Sequence, residues 1–195
     1  MFYDKPDLFG SILLKDLPIN IQNPIRSLYT DDDQSLWLGT KGDGIVRIQA
    51  YDTYHNKKMI PQSAITHFTT PADGLSSNRV YCFQKSEYHP CIWIGTEGPG
   101  LTYYSYKEKR IKTIPQREDT TPLRYVHSIC EVDDSTLWLA TTGNGLQKVT
   151  LHIDKAVPTI GKVQTFPLKN GKNICKEIQS MVYDNDSTLF LGSRG

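Results

Sequence analysis

Apolar residues occur along this chain in short runs, with turns of aspartate, asparagine and glycine between them. Short runs that are apolar or that alternate with polar residues, bounded by such turn residues, are typical of β-strands. The aspartates of the turns, as in residues 31–33 and 133–134, have short side chains that bond to their own backbone. The pattern therefore predicts short strands joined by hairpins.

One pattern of strand, turn and strand occurs four times in the chain. Each copy contains an aromatic anchor, and the anchors follow one another at spacings of 56, 45 and 52 residues: Trp37, Trp93, Trp138 and Phe190. Such a period indicates an array of equivalent structural units. The four copies are IRSLYTDDDQSLWLGTKGDG (25–44), VYCFQKSEYHPCIWIGTEGPG (80–100), VHSICEVDDSTLWLATTGNG (126–145) and IQSMVYDNDSTLFLGSRG (178–195).

Each unit is expected to hold four strands. The anchor lies in the second strand, and a Gly-x-Gly turn leads from it into a third strand at 45–51, 101–106 or 146–153. A fourth strand is expected at 64–70, 110–115 or 161–167. A repeating four-stranded antiparallel sheet can bury both of its faces when the sheets stack radially as the blades of a propeller.

The second strand supports radial stacking. Consecutive side chains of a strand point to opposite faces, so a run such as LWLGT needs both faces covered. We expect the anchor to fill the gap between blades and the small residue two positions later to allow close approach of neighbouring backbones. These small residues are Gly39, Gly95, Ala140 and Gly192. A β-sandwich is the alternative, but it does not account for four similar copies.

These residues resemble the two-component regulator propeller repeat, whose units read approximately V-x-S-I-x-x-D-x-x-G-x-L-W-I-G-T-x-x-G-G-L. The LWLGT strand, the Gly turn and the link FTTPADGLSSNRVYC (68–82) carry the resemblance in this order. Two features depart from the pattern. The glycine before the second strand is replaced by Gln34, Ser135 or Ser187, and the second copy has an insertion around residues 88–90.

We therefore expect an all-β β-propeller of four-stranded antiparallel blades across 1–195. The expected content is about three and a half blades of a larger, seven-bladed propeller. An outer strand at Ser11–Leu17 and a link would occupy 1–24. The expected blades are 25–79, 80–125 and 126–177, followed by a half blade at 178–195.

Composition supports a β-protein and excludes some classes of function. The chain of 195 residues has only five alanines but 11 tyrosines, 14 glycines and 11 prolines. With 22 basic and 21 acidic residues, its net charge of +1 argues against binding to nucleic acid. No apolar run approaches the roughly 20 residues of a membrane helix. The first eleven residues do not resemble a signal peptide, so an exported protein would need a targeting segment outside this chain.

No segment of the sequence has the residue spacing of a metal site, a phosphate-binding loop or a zinc or redox CxxC motif. The Gly-rich turns precede strands, whereas a phosphate loop leads into a helix. The acidic turns lack the glycine and the terminal glutamate of a calcium loop. Four cysteines form no CxxC pair, and only Cys82 and Cys91 are placed to form a disulfide across a hairpin. Neither a metal ion nor a cofactor is expected.

The candidate site consists of side chains that vary between otherwise similar copies. They lie in the Gly turns and just before or at the start of the first strand of each blade, and both sets of loops are expected at one end of the propeller. The candidate ligand-binding residues are Lys41, Asp43, Asn78, Arg79, Tyr81, Glu97, Arg124, Tyr125, His127, Asn144, Lys176, Glu177 and Arg194. Their side chains are expected to hydrogen-bond and stack on a sugar-like ligand.

The resemblance implies a function in sensing. It is typical of periplasmic input domains of hybrid two-component proteins, which are anchored in the inner membrane, act as homodimers and relay binding of oligosaccharides to a histidine kinase. The segment itself is then not an enzyme. Two other functions are considered: a scaffold for protein–protein interaction, and a polysaccharide lyase or glycosidase that uses Asp43, Glu97 and Glu177.

Overall fold

The computed structural model describes residues 13–54, 59–116, 121–154, 157–170, 173–184 and 188–193, with only the backbone described at 168–170 and 173–174. Strands account for most of the regular structure. The first two sheets contain β1 (Ile25–Thr30), β2 (Leu36–Thr40), β3 (Ile45–Ile48), β4 (Ile65–Phe68), β5 (Val80–Lys85), β6 (Cys91–Thr96), β7 (Leu101–Ser105) and β8 (Arg110–Ile114).

The remaining strands form a third sheet and two pairs. They are β9 (Val126–Asp133), β10 (Thr136–Thr141), β11 (Gly145–Asp154), β12 (Val157–Phe166), β13 (Leu168–Asn170), β14 (Asn173–Cys175), β15 (Ile178–Tyr183) and β16 (Leu189–Ser193). Three four-stranded antiparallel sheets have their strands in sequence order, as β1–β4, β5–β8 and β9–β12. The pair β15–β16 repeats the first half of a sheet. The predicted all-β fold of four-stranded antiparallel blades is therefore confirmed.

The first strands of successive sheets lie next to one another. β1 contacts β5, β5 contacts β9, and β9 contacts β15. β5 also lies against β2, the second strand of the preceding sheet, and β9 lies against β6 in the same way. Each sheet thus packs with its first strand innermost, which is the arrangement of propeller blades around an axis.

The first interface between sheets is built around Trp37. This residue is fully buried, in a cluster that joins Ile45 and Phe68 of its own sheet to Val80 and Ile94 of the next. The rings of Trp37 and Phe68 stack with 5.9 Å between their centroids. The Trp37 ring is thus shared between two blades.

The second interface repeats this arrangement around Trp93. Trp93 is fully buried among residues of its own sheet and of the third sheet, including Ile129 and Leu139. Its indole Nε1 donates a hydrogen bond of 3.0 Å to Oε1 of Glu131, which belongs to β9 of the third sheet. The same carboxylate accepts from the Ser86 hydroxyl and the Glu87 amide, so it ties the two sheets together.

Burial of the anchor decreases along the chain. Trp138 is half-buried against the cluster that contains Ala140, Ile178 and Met181. Phe190 is 60% exposed, because no described sheet lies beyond β16 to cover it. Equivalent positions therefore differ in burial according to whether a neighbouring sheet is packed against them.

The small residues lie where neighbouring strands approach closely. A Cβ added at Gly39 would lie 2.8 Å from Cγ1 of Val80 in the next sheet and would also overlap the Ser27 hydroxyl. A Cβ at Gly95 would overlap the carbonyl oxygen of Val126, again in the next sheet. A larger side chain at either position would push the blades apart.

Some connecting segments differ from the sequence-based expectations. Within the predicted outer strand at Ser11–Leu17, Leu14–Asp16 form a 3-10 helix, and residues 11–12 lie outside the described part of the chain. Leu17 is buried against the first sheet with Val46 and Ile60, so this segment covers a sheet face and does not extend a sheet. The hairpin β13–β14, between the third sheet and β15, was not predicted.

Cys82 and Cys91 do not form the disulfide that the sequence left open. Cys82 pairs with Gly95 across the β5–β6 hairpin, whereas Cys91 pairs with Ser105 of β7, on the other side of β6, and both thiols are free. Burial raises the pKa of the Cys82 thiol to about 12. Burial, and secondarily the Glu131 carboxylate, raises the pKa of Cys91 to about 12.

Replacement of Trp93 by alanine is predicted to destabilise the protein by about 3–5 kcal/mol, since it removes a buried ring and leaves a cavity between two blades. The matched control is Phe190→Ala, at the equivalent but exposed position, for which we expect less than about 1 kcal/mol. Equilibrium unfolding in urea measures both free energies. Equal losses for the two variants would contradict the assignment of Trp93 to an interface between blades.

Cys82 and Cys91 are predicted to resist alkylation by iodoacetamide at pH 8 in the native protein, because the reactive species is the thiolate. Cys175, at the end of β14 and outside the three four-stranded sheets, serves as the internal control. Peptide mass spectrometry after timed labelling measures the extent of reaction at each residue. Labelling of Cys82 at the rate of Cys175 would show that the second sheet is not packed as described.

Candidate functional site

The Gly turns and the segments that enter the first strands meet at one end of the sheets, here called the loop end. In each of the three four-stranded sheets, a backbone amide at the Gly turn donates a hydrogen bond to the carbonyl of the residue just before the first strand of the same sheet. These bonds are Lys41 to Pro24 (3.0 Å), Glu97 to Arg79 (3.1 Å) and Thr142 to Tyr125 (3.2 Å). The second glycine of the Gly-x-Gly turn donates a hydrogen bond to the link to the next blade, as from the Gly44 amide to the Asn78 carbonyl at 2.9 Å.

A β-bulge interrupts the first strand of every blade at the same position. In β1, for example, Ile25 pairs with Thr40 and Ser27 with Gly39, so the residue between them has no partner of its own. The same register shift occurs in β5, β9 and β15. A bulge redirects a side chain and is frequent beside binding sites. The four residues at this position, here called the bulge row, are Arg26, Tyr81, His127 and Gln179.

The side chains of the first three members of the bulge row contact one another across blades. The Arg26 guanidinium carbon lies 4.3 Å from the centroid of the Tyr81 ring, which is close enough for a cation–π interaction. The Tyr81 and His127 rings have centroids 4.2 Å apart at an angle of 41°. Three adjacent blades thus contribute to one continuous row of planar side chains.

His127 links the bulge row to the Gly turn of its own blade. Its Nε2 lies 2.8 Å from Oγ1 of Thr142. Burial lowers the pKa of His127, the nearby positive charge of Arg26 lowers it further, and the carboxylate of Glu177 acts in the opposite direction. Glu177 is exposed and pairs with Thr142 in an isolated β-bridge. The neutral imidazole is therefore favoured in the folded protein.

Two of the three candidate carboxylates already have partners. Asp43 accepts hydrogen bonds from the amides of Gln22 (2.8 Å) and Asn23 (2.6 Å) and from the Asn23 side chain. Burial acts to raise the pKa of Asp43, but these hydrogen bonds outweigh it and hold the pKa below its usual value. Glu97 forms a salt bridge of 3.0 Å with Arg79.

The other candidate residues divide into structural and exposed groups. The Asn78 side chain accepts a hydrogen bond from the Thr70 amide (2.8 Å), and the Asn144 side chain donates one to the Pro122 carbonyl (2.9 Å). Both side chains therefore hold loops in place. The Arg124 guanidinium lies 5.6 Å from the Tyr125 ring. The exposed candidates are Lys41, Arg79, Arg124, Lys176 and Glu177. Arg194 lies outside the described residues.

Sequence reasoning missed two members of the bulge row, Arg26 and Gln179. Both occupy the second position of their repeat, where the other copies have Tyr81 and His127. The sequence did contain a signal, because the residue type at this position varies between copies whose neighbouring positions are alike. The direction of the side chain, however, depends on the β-bulge, which is a property of strand pairing and cannot be recognised from the sequence of one strand.

Grooves are also found away from the loop end. A groove of about 470 Å³ between the second and third sheets is lined by residues that include Tyr88, Tyr103 and Ile153. A second groove of about 790 Å³ lies along β5, β9 and β15. Within the described ranges, no group of three metal-binding side chains is found and no helix is long and apolar enough to span a membrane.

One segment of the chain matches a known family model. Residues 21–42 match the family described as "Two component regulator propeller". This segment includes β1, Trp37 and the start of the first Gly turn, so the match confirms the resemblance seen in the repeats. Among curated proteins, none matches the chain significantly.

Solved structures share the fold over most of this chain. The extracellular domain of a hybrid two component system from B. thetaiotaomicron has a TM-score of 0.69 at 15% identity, covering 95% of this chain and 23% of that one. The extracellular domain of a one component system from the same organism has a TM-score of 0.52 at 19% identity, covering 90% and 27%. Virginiamycin B lyase from Staphylococcus aureus has a TM-score of 0.52 at 17% identity, covering 88% and 49%. The likeness shows a common fold, which hosts different functions.

The pKa of His127, measured by NMR titration of the imidazole protons, is predicted to lie below 6.5. Replacement of Arg26 by glutamine should raise this pKa toward its usual value, because a nearby positive charge is removed. Glu177→Gln should lower it further, because a stabilising negative charge is lost. Shifts of the same sign in the two variants would contradict the described arrangement around His127.

Proposed function

We propose that this chain is a ligand-sensing propeller module of an extracytoplasmic two-component signalling protein. The observation that carries the proposal is the bulge row, which aligns Arg26, Tyr81 and His127 from three successive blades at the loop end. When several blades contribute side chains to one site, the affinity of that site depends on the relative positions of the blades. Such a site suits a domain that signals through a change in the arrangement of its blades.

The comparisons support the context of this proposal. The matched family model is described as a two component regulator propeller. Two of the similar structures are extracellular domains, one of a hybrid two component system and one of a one component system. The chain covers about a quarter of those two structures, so the partners and output of a complete protein are part of the proposal. We place the module in the periplasm, within a protein anchored in the inner membrane.

The proposed ligand is an oligosaccharide or another polar small molecule. The loop end offers charged and amide side chains on a scaffold of paired strands, which is how binding residues are commonly presented. The candidate contacts are the exposed side chains of Lys41, Arg79, Arg124 and Lys176, together with the bulge row. Asp43, Asn78 and Asn144 would act indirectly, since each is already bonded to neighbouring loops.

Signalling would require a homodimer that relays the bound state to a histidine kinase elsewhere in the protein. A ligand shifts an equilibrium only if it binds one arrangement more tightly than the other. Because Arg26, Tyr81 and His127 belong to different blades, a ligand that spans them would favour one relative orientation of those blades. This difference in affinity is the proposed origin of the signal.

Enzymatic activity is the second function to consider, because one of the structures with a similar fold is a lyase. Acid–base cleavage of a glycoside needs two available carboxyl groups. Asp43 is held by the amides of residues 22–23, and Glu97 is paired with Arg79, which leaves Glu177 as the exposed candidate. We therefore propose binding without turnover. Product formation from polysaccharide fragments would contradict this, and a co-purifying protein would favour the scaffold function.

Replacement of Arg79 and Arg124 by alanine is predicted to weaken oligosaccharide binding by about tenfold or more, because each loses a charged hydrogen-bond donor. Isothermal titration calorimetry with a panel of neutral and charged oligosaccharides measures the affinity. Lys107→Ala, on the exposed turn between β7 and β8 at the opposite end of the second sheet, is the control. Unchanged affinity in the double arginine variant would move the site away from the loop end.

A further inference from the structure

We propose that the loop end binds an oligosaccharide that carries anionic groups, either carboxylates or sulfates, and that Arg26 contacts the anion. This inference rests on the proposed function and specifies the ligand class of the same site. Its basis is the contact between Arg26 and Tyr81 and the balance of charge around the bulge row.

The Tyr81 ring already has a cationic partner. The Arg26 guanidinium lies 4.3 Å from the ring centroid, and His127 lies 4.2 Å from the same ring by centroids. A sugar that stacked on Tyr81 would compete with these two groups for the ring. The more direct interpretation is that Tyr81 is a platform that holds Arg26 in one orientation.

A guanidinium held against an aromatic ring still has in-plane N–H donors for a ligand. These donors match the geometry of a carboxylate or a sulfate, with which they form two parallel hydrogen bonds. Among the described residues, no salt bridge joins a carboxylate to Arg26, whereas Arg79 is paired with Glu97. Arg26 is also exposed. It is therefore an oriented cation available to an external anion.

The charges of the candidate residues and the bulge row favour an anionic ligand. Among the described members of these two sets, cations outnumber carboxylates by two. The cations are Arg26, Lys41, Arg79, Arg124 and Lys176, and the carboxylates are Asp43, Glu97 and Glu177. The complete chain has a net charge of only +1, so this excess is local. A local concentration of one charge attracts ligands of the opposite charge and speeds their association.

His127 provides an internal reporter of the bound anion. Burial and the charge of Arg26 lower its pKa in the free protein. An anion bound to Arg26 would offset that charge, so the pKa of His127 should rise when an acidic ligand binds and should not rise with a neutral one.

The experiment compares three probes of similar size by calorimetry: a trigalacturonate, a sulfated galactotriose that carries no carboxylate, and a neutral galactotriose. The wild-type chain, Arg26→Gln, Arg26→Lys and Lys107→Gln are titrated with each. For at least one acidic probe we expect tighter binding than for galactotriose, loss of roughly tenfold to a hundredfold in affinity in Arg26→Gln, and a smaller loss in Arg26→Lys. Lys107→Gln should bind like the wild type, and NMR should show the rise in the His127 pKa.

The outcomes separate this inference from the function on which it rests. If the neutral and acidic probes bind equally, or if Arg26→Gln binds the acidic probe as well as the wild type does, the inference is overturned and oligosaccharide sensing stands. If no probe binds at all, the inference is overturned and oligosaccharide sensing is contradicted with it. The two acidic probes distinguish recognition of a carboxylate from recognition of a sulfate. Unfolding in urea confirms that Arg26→Gln retains its stability.

Discussion

The structure depends on the need of each sheet to have both faces covered. Its central strands are apolar on consecutive positions, so each sheet must have a neighbour on either side. An aromatic ring at the same position of every repeat fills the space between sheets, as Trp37 and Trp93 do when they pack against the following blade. At the equivalent position, Phe190 is exposed, and no described sheet packs against its outer side.

This packing also determines where the candidate site lies. Because the first strand of each sheet is innermost, the starts of β1, β5 and β9 come together at the loop end. The shared bulge then directs one side chain per blade into a common row, and the hydrogen bonds of the Gly turns fix the surrounding loops. The side chains of the proposed site can therefore vary at the bulge row without a change in the framework, which is how one fold serves different functions.

Much of the framework could be predicted from the sequence, because strands, turns and the repeat are local features. The first strands begin at Ile25, Val80, Val126 and Ile178, which are the apolar residues that open the four copies. The role of Leu17 and the hairpin β13–β14 could not be predicted, because they lie in segments that do not repeat. Arg26 was missed for another reason: its contact with Tyr81 joins two blades and depends on a bulge in each.

A crystal structure of the chain with a bound uronate oligomer tests the central claim most directly, since it locates the ligand relative to the blades. The account predicts a carboxylate within about 3 Å of the Arg26 guanidinium nitrogens, at the end of the sheets where three blades meet. An oligomer seated instead in the groove lined by Tyr88, Tyr103 and Ile153 would contradict it.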